Sequence, residues 1–411
     1  MRLSFRLAQL VGYDPNPNRR SGQIKQISEF TGIYRHKVRD LLTGEFLSLK
    51  LDDLGRLCNY LREKMGVPAD QLPGALFAVE PESFWEQLSC RERLQFCYGV
   101  RRDEGMAERS WVMASDALLY GVLLRSASRI AIDKKEGGSE AESPSTPANG
   151  ENGQSLASMA APRASASSLN QVQQSLVRAP TLLAGESGPT FDRNAIEMSR
   201  GVYDEFVRFD RSKALVCLGS MKSNPVCELV LASAFGANPF AEDGPPENPS
   251  DRRCPFYMRY RPKDPHPASC AGGLRLSLSE PGDTPGIWYE TASGKWECLP
   301  SEPNRRDAAV VFYINRPAQG RHEMMLGGFS GLATRLLSNT LAEEGSRFWP
   351  PAVLGGVEIG AFLVEYIHEP LPPGDQDFFS IPKVESMRII PLDPEVFQRR
   401  RQQWTTPTED E

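Results

Sequence analysis

The chain has 411 residues, of which 40% are apolar, and its formal net charge is −6. That length supports two or three domains with real cores, no apolar run reaches the ~18 residues needed to span a bilayer, and the acidic balance is not that of a chain that coats nucleic acid throughout. The charge is uneven, however: residues 1–66 carry twelve Lys/Arg against seven Asp/Glu, a basic head on an acidic body.

Met1 to Val11 reads as a short amphipathic helix, with Leu3, Leu7, Leu10 and Val11 inward. Between Ile24 and Leu61 three further segments show apolar residues at spacings of three and four, which is helical. Ile24, Ile27 and Phe30 share one face of the first. Val38, Leu41 and Leu42 share a face of the second, and Leu51, Leu54, Leu57, Cys58 and Leu61 stripe the third. Gly32 falls where the first two must turn sharply, and glycine reaches positive φ without a Cβ clash. The face of the second segment left over by packing carries Arg35, His36 and Arg39.

These residues resemble the lambda-repressor-like (Xre/Cro) helix-turn-helix superfamily over residues 1–67. Ile27, Ser28, Gly32, Ile33, Val38 and Leu41 stand where that family places an apolar residue, a small residue, the turn glycine and three apolar residues. Leu42-Thr43-Gly44 resembles its leucine-x-glycine stop. Tyr34 departs from the usual Ser or Thr cap, and the loop 14–18 is long. The resemblance implies a helix laid in the major groove, where Arg bonds a guanine edge through two parallel contacts. Tyr34, Arg35, His36 and Arg39 face outward together, with Arg35, His36 and Arg39 expected on base edges. Gln23, Lys37 and Lys50 are expected on phosphates, and pairing on a two-fold DNA site implies a homodimer. The competing reading is a solvated polar face on a small packing bundle.

Residues 69–90 read as a connector with a short helix around Phe84-Trp85, and Leu94 to Val100 as a strand. Trp111 to Ser126 reads as a helix with Trp111, Ala114, Leu118, Val122 and Leu123 along one side, leaving Asp116 and Arg125 solvated. From Lys134 to Asn194 the chain turns rich in Ser, Ala, Gly, Pro, Glu and Asn, the composition of a disordered linker or insertion. A helix over Ala195 to Val207, a strand over Lys213 to Gly219 and a helix from Pro225 to Phe235 follow. Asn224 is placed to cap that last helix. The pattern returns as strands Ala308 to Ile314 and Glu323 to Gly327, a helix Leu332 to Leu341, and a strand Gly360 to Ile367. Ile287 to Tyr289 and Lys295 to Cys298 are spaced like a hairpin, and the charged tail after Pro394 is expected to fray. Alternating strands and helices favour a largely parallel sheet.

The expected class is therefore multidomain α plus α/β: a helix-turn-helix domain at 1–68, a connector at 69–133, a linker at 134–194, a Rossmann-like α/β domain at 195–394 and a tail at 395–411. Two loops follow strands of that domain. Ser220, Lys222, Ser223 and Asn224 lie in the first. Gly327, Gly328, Ser330 and Gly331 lie in the second, with Thr334 just beyond. Helix N-termini expose unpaired amides that suit anions, so these residues are candidate ligands for a small anionic or nucleotide-like molecule. Neither loop matches GxxxxGK[ST] or GxGxxG, so no cofactor is implied, and ordinary turns remain the alternative. Glu228, on the first turn of the intervening helix, is a weak catalytic candidate for an enzyme that cleaves a glycosidic bond of a nucleotide.

Eight cysteines form no CxxC pair and read as buried thiols of a reducing cytosol. Zinc held by Cys254, His266 and Cys270 is the alternative. His322 and His368 flank strands and read as structural. Arg2, Arg6 and Gln9 interrupt the first apolar residues, so no signal peptide is expected. Taken together, the expectation is a cytoplasmic regulator binding double-stranded DNA, away from membranes, against an enzyme or a scaffold as rivals.

Overall fold

The structure is a computed structural model that describes residues 3–13, 22–69, 72, 76–79, 81–102, 110–137, 171–178, 182–185, 188–191, 193–208, 212–221, 223–237, 239–241, 253–259, 284–354, 356–370 and 380–405. The chain opens with a short strand, β1 (Leu3–Phe5), and only Leu7–Leu10 is helical, α1. Leu3 is exposed rather than inward, while Leu7 and Val11 are buried. Three helices follow, α2 (Gln23–Thr31), α3 (Arg35–Thr43) and α4 (Leu51–Met65). Gly32, at φ 70°, ends α2 in the left-handed conformation that a Cβ would oppose. Ile27, Val38, Leu41, Leu42, Leu57 and Leu61 have no exposed surface and make one core, so the three- and four-residue spacing is the spacing that packs. Leu51, in contrast, is exposed at the start of α4. The unit runs past residue 68, because β2 (Phe77–Val79) returns to pair antiparallel with β1. The loop 14–18 lies outside the described residues.

The rest of the chain forms a mixed sheet with helices on both faces. In order come α5 (Glu86–Ser89), β3 (Arg93–Arg102), β4 (Ser110–Val112), α6 (Ala114–Gly137), β5 (Gln171–Arg178), β6 (Leu182–Gly185) and β7 (Gly188–Phe191). Then follow α7 (Arg193–Arg208), β8 (Lys213–Leu218), α8 (Val226–Phe235), β9 (Phe256–Arg259), β10 (Gly286–Glu290) and β11 (Trp296–Pro300). The last third supplies β12 (Arg306–Arg316), β13 (Arg321–Gly328), α9 (Gly331–Glu344), β14 (Ala352–Leu354), β15 (Val357–His368), β16 (Val384–Pro391) and α10 (Pro394–Thr405). The nine-stranded sheet runs β14-β15-β12-β13-β8-β3-β4, with β16 also on β15 and β5 also on β3. β5, β3, β8 and β13 are parallel neighbours. β12 and β15 are antiparallel to theirs, so the sheet is mixed rather than largely parallel. The cause is local: only the 3-10 turn Pro317–Gln319 and Gly320 separate β12 from β13, and so short a link makes a hairpin.

Both faces of the sheet are covered. Along β12, Ala308, Val310, Phe312 and Ile314 join the core under α8, α10 and the β9–β11 sheet. Ala309, Val311 and Tyr313 join the core under α5, α6 and α9. This alternation is the two-residue period of a strand buried on both sides.

Several expectations are corrected. Trp111 belongs to β4 and is half-exposed, and α6 turns inward through Leu119, Leu123 and Ala127. Asp116, expected in solvent, is 3% exposed. Gln171–Arg178, inside the expected linker, adds a parallel strand to β3; residues 138–170 of that stretch lie outside the described residues. The expected frayed tail is α10 at least as far as Thr405. Its Val396 and Phe397 are buried, and Arg399 and Arg400 hold Glu290 at 2.9 and 2.5 Å. Cys254 is buried, while His266 and Cys270 lie outside the described residues. Among the described residues no group of three or more His, Cys, Asp and Glu is arranged to hold a metal, and no helix is long and apolar enough to cross a membrane.

The helical unit rests on the corner between β12 and β13. Ala318, in the turn, is part of that unit's apolar core, and Gly320 lies against Gln9.

Candidate functional site

Parallel strands end along one edge of a sheet, and ligands of such sheets bind outside those ends. Here β3, β8 and β13 end together, and α6 and α9 begin beside them. Between them lies a cavity of about 160 Å³. Arg101 from β3 and Met113, Ser115 and Asp116 from the start of α6 line one side. Ser220 and Ser223 from the loop after β8 line another. Gly328 to Gly331 and Thr334, at the start of α9, complete it.

Two glycines let the loops close on each other. Gly219 has φ 93°, and a Cβ there would lie 2.6 Å from Ser223 Oγ and 2.8 Å from Asp116 Oδ2. A Cβ at Gly327 would lie 2.5 Å from the Gly219 carbonyl. Hydrogen bonds then fix the walls. The Ser330 hydroxyl accepts from the amides of Leu332 and Ala333 at 3.1 and 3.2 Å and donates to the carboxylate of Asp307. Thr334 Oγ1 accepts from the Gly328 amide at 2.9 Å, and Ser223 Oγ donates to the Ser220 carbonyl at 3.0 Å.

Of the residues named from sequence, Ser220, Ser223, Gly328, Ser330, Gly331 and Thr334 are brought together. Lys222 lies outside the described residues. Gly327 packs against Gly219 behind the wall. Asn224 also faces away: its Nδ2 donates to the carbonyls of Cys97 and Leu218, and its Oδ1 accepts from the Val226 amide at 3.2 Å. It caps α8 as its spacing predicts, and pins β3 to β8. Glu228 does not line the cavity. Its carboxylate accepts from the Phe240 amide at 2.5 Å, and burial pushes its pKa up to about 8.

The carboxylate that does reach the cavity is Asp116, with Arg101, Met113, Ser115 and Phe329 the other residues not anticipated. Asp116 Oδ1 accepts from Ser115 Oγ at 3.3 Å, and Oδ2 is buried without a partner among the described residues. Burial pushes its pKa up to about 6, against the Ser115 hydrogen bond and the Arg101 guanidinium. Asp307, beneath Ser330, is likewise pushed up by burial.

The second set of candidates lies on the helical unit. Tyr34 is 76% exposed and stacks on His36 with ring centroids 5.7 Å apart. Arg35, His36 and Arg39 are exposed, and Arg35 makes a long surface contact of 3.7 Å with Glu29. Lys50 is exposed just before α4. Two expected phosphate contacts are committed elsewhere. Lys37 binds Asp53 at 2.6 Å, and that hydrogen bond holds the Asp53 carboxyl below its ordinary range. The Gln23 amide donates to the Val11 carbonyl.

Comparison of the chain with protein-family models, curated proteins and solved structures returned no match.

Proposed function

We propose that the protein is a cytoplasmic DNA-binding regulator in which α2 and α3 form a lambda-repressor-like helix-turn-helix. The parallel half of the sheet is then a Rossmann-like sensor of a small anionic or nucleotide-like ligand. The observation that carries the reading is the uncovered side of α3: Arg35, His36 and Arg39 stand in solvent with Tyr34 beside them, where a groove-reading helix needs its cations. A single unit of this size binds weakly, so the working form is a homodimer on a two-fold site.

Binding to a pool of random duplexes tests it. Affinity should fall steeply with salt, and Arg35→Ala and Arg39→Ala should each weaken the selected site by about 1–3 kcal/mol. Affinity that ignores both salt and these substitutions removes the reading.

A second reading is favoured by one observation. Asp116 is a cavity carboxylate whose pKa is pushed up to about 6, the range of a general acid or base at neutral pH. An enzyme that cleaves the glycosidic bond of a nucleotide would use it in place of Glu228. Turnover of a nicotinamide or purine nucleotide that disappears in Asp116→Asn decides for that reading.

A further inference from the structure

We propose that the cavity takes a phosphate ester with a free hydroxyl near its phosphate, either a phosphorylated sugar or the ribose phosphate of a nucleotide, and that Asp116 reads the hydroxyl. The proposal rests on the reading of this cavity as a ligand site and names its ligand class.

Two long helices, α6 and α9, aim their N-termini at the cavity, and their dipoles favour negative charge there. At α9 the Ser330 hydroxyl already takes two of the amides. What faces the space is therefore mainly hydroxyl, from Ser115, Ser220, Ser223 and Thr334, beside the Arg101 guanidinium. The protons of Ser115, Ser223 and Thr334 are already given to Asp116 Oδ1 and to the carbonyls of Ser220 and Ser330. These hydroxyls therefore meet a ligand as acceptors of sugar hydroxyls, and the donors to a phosphate are Ser220 and Arg101.

Asp116 is the feature that a bare anion site does not explain. A first-turn carboxylate suits the dipole of α6, but that accounts for a charge and not for its surroundings. The residue is 3% exposed, and among the described residues Oδ2 has no donor. A buried acceptor without a donor is costly, so this atom requires one from whatever enters. An ammonium would meet the Arg101 guanidinium, whose field already acts on Asp116. A hydroxyl brings no charge, and a carboxylate binding a ribose hydroxyl is a recurrent device of sheets read at this edge. Cavities of ~150 Å³ admit a benzene-sized ring, so this one, of about 160 Å³, takes more than inorganic phosphate fills but only part of a sugar phosphate, the rest of which would lie outside it.

The test is calorimetric titration of the full chain at pH 7.5 with ribose 5-phosphate, AMP, inorganic phosphate and phosphoserine. Ribose 5-phosphate or AMP should bind at least about tenfold tighter than inorganic phosphate, the worth of one hydrogen bond to a charged group. Which of the two binds tighter separates free sugar phosphate from nucleotide. Asp116→Asn should erase that tenfold preference and leave inorganic phosphate as tight or tighter, with the melting temperature not lowered. The proposal is overturned by equal binding of inorganic phosphate and ribose 5-phosphate, by tighter binding of phosphoserine, by Asp116→Asn weakening all probes alike, or by no binding at all. DNA binding by the same preparation is scored separately. Duplex affinity without probe binding sinks this proposal and spares the regulator, and probe binding without duplex affinity does the reverse.

Discussion

Asp116 opposes folding whenever it is ionised. Its carboxyl titrates at about 6 in the folded chain and near 3.8 when free, so between those values the folded state holds the extra proton and stability falls as pH rises. The unfavourable contribution is complete above pH 6, fades as pH drops through 6, and is gone below 3.8. Asp116→Asn should therefore stabilise the chain by roughly 1–3 kcal/mol at pH 7.5 and by almost nothing at pH 4, as urea unfolding at the two values will show. A gain that does not shrink with acid would mean that the carboxylate is not buried. Nothing in the local sequence marks this residue: Ala117 and Leu118 beside it are exposed, which is what an outward helical turn looks like. Its burial comes from Gly219, about a hundred residues on, pressing against the first turn of α6. The serines of the loops were legible because composition and chain order alone place hydroxyls after a strand.

Among the elements, those with a strong period were readable and those without were not. β12 and β15 carry long apolar runs on both faces and stand out at once. β5 begins Gln-Val-Gln-Gln, and of its side chains only Val177 is fully buried. It joins β3 through backbone hydrogen bonds, which leave no trace in composition. The same holds for the closing of the two loops, which depends on small residues. Gly327→Ala forces a Cβ into the Gly219 backbone and should cost about 1–3 kcal/mol by urea unfolding and, under the proposed ligand reading, weaken ribose 5-phosphate binding in calorimetry on the same preparation. α10 was taken for a tail because its charges dominate its sequence, yet Glu290, 2% exposed, receives two of them. Glu290→Ala removes the carboxylate that holds Arg399 and Arg400 and should lower stability by about 1.5–3 kcal/mol, the worth of hydrogen bonds to a charged group. Limited trypsin digestion should then cut first at Arg399–Arg401; an unchanged digestion pattern would show that α10 is held by its apolar side alone.

Across the whole molecule, the division into a basic helical unit and an acidic sheet was visible in the charge distribution, but the way they touch was not, since it rests on small residues: Ala318 in the unit's core, Gly320 against Gln9, and Gly356 against Thr43 and Gly44. β12 and β13 run between the cavity and the helical unit. At one end, Asp307 and Gly328 hold the start of α9 at the cavity; at the other, Ala318 is lodged in the core of the helical unit. Eight residues of β13 at ~3.3 Å each separate the two ends by roughly 25 Å. Under the proposed regulator, strain placed on this hairpin by an occupied cavity would reach its tip along continuous strand, as motion passes along a connecting rod. In that reading Ala318→Gly, which removes a methyl that seats the tip, should leave affinity for duplex and for ribose 5-phosphate standing while uncoupling one from the other.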